Sequence, residues 1–193
     1  MTKDEETRVF ICIAGGSNQS RMSITRRFII GHDDSNTNST NQDINSKHCQ
    51  IDGRTIKIDI IDKSTQNSLA EMRHRYYQEV DGFVFVIDVN NPASIEEFKI
   101  IYMDASTARN QKKGSLYGVI AAYDDYSTDQ KAIPIEKIKV IGREFKCSVF
   151  EASSKTTENI PELFNELIRK ILLHKQANPN KTQETSGACC SIY

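Results

Sequence analysis

Val9-Phe10-Ile11-Cys12-Ile13-Ala14 is an apolar, strand-like run that stops at Gly15-Gly16-Ser17 and continues into a segment with Ile24, Phe28 and Ile29 on one helical face. No other stretch constrains the fold as strongly. Strand, small-residue turn and helix form the outline of a phosphate loop. In the complete motif, G-x-x-x-x-G-K-[ST], backbone amides cradle phosphate, the lysine reaches the terminal phosphates and the hydroxyl ligates Mg²⁺. Here Gly15 keeps the first glycine, while Ser20, Arg21 and Met22 stand in the last three places. The scaffold is present and its chemistry is altered.

The chain has 193 residues and a formal net charge of -1, enough for one globular domain with a tail and without the basic run that nucleic acid would require. Its five cysteines, at 12, 49, 147, 189 and 190, form no C-x-x-C pair and lack a histidine at metal spacing, so neither a disulfide framework nor a zinc site is expected. Cys12 and Cys147 read as buried strand residues. The N-terminus lacks the apolar core of a signal peptide, and no apolar run approaches the roughly 18 residues of a spanning helix.

Along the chain, Met22 to Ile30 reads as a helix. The polar segment 32–48 reads as a loop. Asp52-Gly53 is a tight-turn pair, followed by Ile56, Ile58 and Ile60 alternating with polar residues up to Asp62, which predicts a hairpin. A short helix follows from Leu69 to Tyr77. The run Gly82-FVFVIDV suits a strand buried on both faces. Asn91-Pro92-Ala93-Ser94 starts a helix reaching about Arg109, with Pro92 near its first position. Gly118 to Ala122 is another buried strand, Pro134 to Phe145 a helix, Cys147 to Glu151 a sixth strand, and Pro161 opens a last helix with Phe164, Leu167, Ile168, Ile171 and Leu172 on one face. This alternation predicts an α/β fold with helices on both faces of a six-stranded, mostly parallel sheet carrying one antiparallel hairpin. Ligands of such sheets bind at the carboxyl ends of the strands, where the loops after Ala14, Asp62, Ala122 and Glu151 lie.

Those loops, with I-D-G-R-T in the hairpin, F-V-F-V-I-D-V-N-N in the fourth strand and E-A-S-S-K-T near the end, resemble the nucleotide loops of a Ras-type small GTPase, a P-loop NTPase with a Ras-like G domain. The resemblance implies a G domain over residues 8–175, an N-terminal tail at 1–7 and a flexible C-terminal tail at 176–193. It also implies GTP or GDP as ligand, Mg²⁺ as cofactor, and effector or regulator proteins as partners through loops 31–48 and 62–77. Residue by residue, Gly15, Gly16, Ser17, Ser20 and Arg21 fall on the phosphate side. Ser20 adds a Cβ where backbone must approach phosphate, and positive φ at such a residue would cost about 1 to 2 kcal/mol. Arg21 keeps the charge of the loop lysine in a planar fork, and the thioether of Met22 cannot ligate Mg²⁺.

Thr40 falls at the threonine that closes on Mg²⁺, or is one more threonine in a polar loop. Asp33 replaces the aromatic over guanine. Asp62 corresponds to the carboxylate that holds a metal-bound water, Thr65 replaces a switch glycine, and Gln66 either orients an attacking water or is a solvated loop residue. Ala122-Tyr123-Asp124-Asp125 aligns with N-K-x-D, leaving Asp125 to accept from the guanine edge and Tyr123 to stack on the base; a plain polar turn is the other reading. Ser153-Ser154-Lys155 keeps the S-A-K loop. Cys190 stands four from the end in a CaaX-like signal, with Cys189 available for a second lipid; a free cysteine pair in a polar tail is the alternative. The resemblance therefore implies a membrane-tethered signalling protein on the cytoplasmic face, at the plasma membrane, with weak nucleotide binding, doubtful Mg²⁺ and negligible GTP hydrolysis. A functional GTP-binding switch with slow GTPase activity is the alternative within the family. A phosphoacceptor receiver domain with Asp62 as acceptor is a more distant one.

Overall fold

The computed structural model describes residues 7–31, 44–62, 70–111, 115–124 and 131–177. Its elements in chain order are β1 (Thr7–Ala14), α1 (Asn18–Ile30), β2 (Ile44–Ile51), β3 (Arg54–Asp62), α2 (Ala70–Glu79), β4 (Gly82–Asp88), α3 (Ser94–Gln111), β5 (Gly118–Tyr123), α4 (Ile135–Glu144), β6 (Ser148–Ala152) and α5 (Ile160–Ala177). The six strands lie in the order β2-β3-β1-β4-β5-β6. Every neighbouring pair is parallel except β2 with β3. This is the sheet the sequence predicts, and its edge hairpin removes the receiver alternative, whose parallel order is different.

Alternation along the strands explains the layers. Val9, Ile11 and Ile13 of β1, Ile56, Ile58 and Ile60 of β3, and Val84 and Val86 of β4 share a buried cluster with Ile24 and Phe28 of α1 and the apolar stripe of α5. Phe28 and Phe164 stack there with centroids 3.9 Å apart. Cys12, Ala14, Phe83, Phe85 and Ile87 point the other way, into a cluster with α2, α3 and α4. All residues of β4 from Gly82 to Ile87 are buried, as a central strand covered on both faces requires.

The hairpin turn has Asp52 at φ 50° and Gly53 at φ 77°, the doubly left-handed pair that matches strand twist. Three local expectations need correction. Residues 44–48 belong to β2 and not to a loop. Their polar composition hides the strand because β2 is an edge paired only with β3, from Ile44 opposite Ile61 to Ile51 opposite Arg54. Helix α1 starts at Asn18, four residues before Met22, because Ser17 caps it. Helix α3 starts at Ser94, with Pro92 in the preceding turn.

Candidate functional site

Register creates the site. In the parallel β1–β3 pair, Ile13 lies opposite Asp62, so the last residue of β3 sits beside the turn that follows β1. That turn needs glycine at both positions. Gly15 has φ +85° and an added Cβ would lie 2.7 Å from the Val86 carbonyl oxygen; Gly16 has φ +59°, and a Cβ would meet Ser20 Oγ and Val86 Cγ1 at 2.9 Å.

The backbone after the turn is wound into helix. Ser17 is the N-cap residue, its Oγ accepting from the Ser20 amide at 3.0 Å. The Arg21 amide donates to the Ser17 carbonyl at 3.2 Å, and Ser20 Oγ donates to the same carbonyl at 2.8 Å. Two amides of the loop are thus consumed by the loop itself. Ser20 is fully buried inside this turn of α1 and is not among the residues with positive φ, so the strain expected of it is absent.

Arg21 fills the middle of the site. Its Nε donates to Asp62 Oδ1 at 2.7 Å, Nη1 donates to the carbonyls of Gly15 at 3.0 Å and Gly16 at 2.9 Å, and Nη2 donates to Asn18 Oδ1 at 3.3 Å. Four of the five guanidinium N–H groups are therefore held by protein. The residue is 4% exposed, and the side chain of Asp62 is 16% exposed. Next to it Met22 turns outward, 43% exposed, with its sulfur 3.6 Å from Asn18 Nδ2.

The other end of the site is built from β5, β6 and α1. Ser153-Ser154-Lys155 follows β6, and Arg27 of α1 donates from Nε to the Ser154 carbonyl at 2.7 Å. Tyr123 ends β5. It is 5% exposed and belongs to the same buried cluster as Ala152 and Ile160, with its hydroxyl 3.4 Å from Ser154 Oγ. The ring expected to lie on a base is packed as core instead. Asp124 donates its amide to the Ala152 carbonyl at 3.0 Å, and its carboxylate is 3.3 Å from Lys131 Nζ, which also pairs with Glu151 at 3.2 Å. Burial opposes the charge on Lys131, but its hydrogen bonds to Glu151 and Asp124 prevail and its pKa is raised.

A model of the Ras family matches residues 11–173. The chain belongs to the Ras family. Among curated relatives it is 23% identical over 191 residues to the Ras-like protein RAS2 of Hydra vulgaris, covering 98% of each chain. It is 28% identical over 163 residues to the Ras-like protein rasX of Dictyostelium discoideum, covering 84% of this chain and 76% of the relative. It is 23% identical over 184 residues to the human Ras-related protein R-Ras, covering 93% and 84%. Ras-family proteins generally bind GTP and GDP with Mg²⁺ and act through effectors and regulators.

The Mg²⁺ of the Ras family does not fit the described residues of the phosphate end. Its hydroxyl ligand is replaced by an outward-facing thioether, and its carboxylate, Asp62, is already paired with a buried guanidinium. Among the described residues, no group of three His, Cys, Asp or Glu side chains could hold a metal. The structure brings Gly15, Gly16, Ser17, Ser20, Arg21 and Asp62 together at one end, and Ser153, Ser154 and Lys155 at the other. Asp33, Thr40, Thr65, Gln66, Asp125, Cys189 and Cys190 lie outside the described residues. The sequence reading missed Asn18, Arg27 and Lys131. Asn18 was accessible in principle, since it precedes Arg21 by three on one helix face. The partners of Arg27 and Lys131 are distant in sequence and left no local signal.

Proposed function

We propose that this Ras-family protein signals through the surface formed by residues 31–48 and 62–77, with weakened guanine-nucleotide binding and little intrinsic GTP hydrolysis. The observation that carries the reading is the Arg21 guanidinium, four of whose five N–H groups are held by Asp62, Gly15, Gly16 and Asn18 in the place where the family holds phosphate and metal. A phosphate entering this loop must displace protein acceptors from Arg21, and two loop amides must give up the Ser17 cap. If an intact site binds at about 1 nM, losses of roughly 1 to 3 kcal/mol each at the metal, the base stack and the Asn-Lys pair bring affinity to about the micromolar range or weaker. Hydrolysis suffers more, because a metal and a free loop cation act on transition-state charge.

The tail completes the proposal. Cys190, with Cys189 as a second lipid site, tethers the domain to the cytoplasmic face of a membrane, at the plasma membrane. No helix among the described residues is long and apolar enough to cross a membrane. One acyl or prenyl chain holds only weakly, which is why the adjacent cysteine matters.

The deciding experiment is gentle purification, denaturation and identification of any released nucleotide, with titration of labelled GDP in saturating Mg²⁺. Substoichiometric nucleotide and micromolar affinity are expected; stoichiometric GDP held in the nanomolar range would favour the working GTP-binding switch. Mass analysis of the cell-derived C-terminus tests the tether, and an unmodified Cys190 would remove it.

A further inference from the structure

We infer that the Arg21 guanidinium has replaced the divalent metal, so that this phosphate loop carries its own cation and neither the fold nor any residual nucleotide affinity depends on Mg²⁺. The inference deepens the reading of a weakened nucleotide site, and it concerns the metal alone.

Charge is the first argument. One carboxylate, Asp62, meets one guanidinium at 2.7 Å, and the pair is neutral without a ligand. A cation arriving at Asp62 would sit within about 5 Å of Arg21, in a site where the guanidinium is almost completely withdrawn from water and screening is poor.

Ligand chemistry is the second. Mg²⁺ wants oxygen and near-octahedral geometry, while position 22 supplies a thioether that points outward and accepts from Asn18 Nδ2. Geometry is the third. The guanidinium is planar, so one edge can span two carbonyls while the other side meets a carboxylate. Nη1 bridges Gly15 and Gly16, whose carbonyls lie in the left-handed turn, while Nε takes Asp62 from β3. The side chain thereby joins the turn after β1, the end of β3 and the start of α1, a linking task that a bound metal and phosphate would otherwise perform from outside.

Two measurements on the full chain test this. In thermal unfolding and GDP titration with EDTA or with millimolar Mg²⁺, the melting temperature should agree within about 1 °C, and Kd for GDP should agree within about twofold. A melting temperature several degrees higher in Mg²⁺ with GDP than in EDTA with GDP, or a Kd at least tenfold tighter in Mg²⁺, overturns the internal cation. Nanomolar GDP binding unchanged by EDTA would instead sink the weakened site and support this inference. The second measurement is a urea double-mutant cycle with Arg21→Gln, Asp62→Asn and both. The unfolding constant should rise at least tenfold less for Arg21→Gln in the Asp62→Asn background than alone, and added Mg²⁺ should stabilise Arg21→Gln but not the unsubstituted chain. Additive effects with no Mg²⁺ response overturn it. If Arg21→Gln does not fold, Arg21→Lys replaces it in the cycle with a smaller coupling of the same sign.

Discussion

The two ends of the candidate site are built differently. At the phosphate end, side chains have turned inward: Arg21 is spent on Asp62 and two glycine carbonyls, and Ser17 and Ser20 satisfy one another and the helix start. At the base end, the Ser153-Ser154-Lys155 loop keeps its backbone place after β6 and is tied from outside by Arg27. The first end has become structure. The second remains a loop positioned by structure. The buried polar groups of the phosphate end therefore find partners within the chain itself, as buried groups in a stable scaffold must.

The comparison is broken most directly at Arg21. Arg21→Ala leaves Asp62 without its partner in a mostly buried site, and we expect a loss of about 3 to 5 kcal/mol in urea unfolding. A loss below about 1 kcal/mol would show that the phosphate end is not part of the core. Gly15→Ala comes next. It combines positive φ with a Cβ 2.7 Å from the Val86 carbonyl, and should cost about 2 kcal/mol, read as a lower urea midpoint at unchanged slope. At the base end, Arg27→Ala removes one charged donor to a carbonyl and should cost about 1 to 2 kcal/mol, with faster amide exchange confined to residues 153–155. If exchange spreads across the whole domain, the two ends are equally structural. Lys131→Ala should have the smallest effect, below about 1 kcal/mol, since the lysine is one-third exposed and its pairs with Asp124 and Glu151 are screened. Its raised pKa sets the sign: the contribution is complete below the ordinary lysine value of 10.5 and is lost as pH rises through the raised one, which a pH series on both proteins would show.

Much of the fold was legible from local pattern. The uninterrupted apolar run of β4 and the Asp52-Gly53 turn each carry their own physical signal, period and chirality, within a few residues. The hairpin was legible from its turn, but residues 44–48 were not legible as the first part of β2, because a polar edge strand owes its conformation to the neighbour that pairs with it. The altered residues of the phosphate loop, Ser20, Arg21 and Met22, were also visible at once. Their consequences were not. Ser20 looked like strain and is instead a helix-start residue whose amide is capped by Ser17.

By itself, then, the sequence determined the family, the order of strands and helices, and the loss of a hydroxyl and a lysine where phosphate and metal are handled. Only the tertiary structure decided what replaced them. The parallel register that sets Ile13 beside Asp62 brings a carboxylate 41 positions along the chain against Arg21, and burial makes that pair costly to break. The same holds for Tyr123, whose ring could have faced a base or the core and is drawn inward by its place at the end of β5. Local chemistry names the groups available, but the partner each group takes depends on which strands lie side by side and on how little water reaches between them.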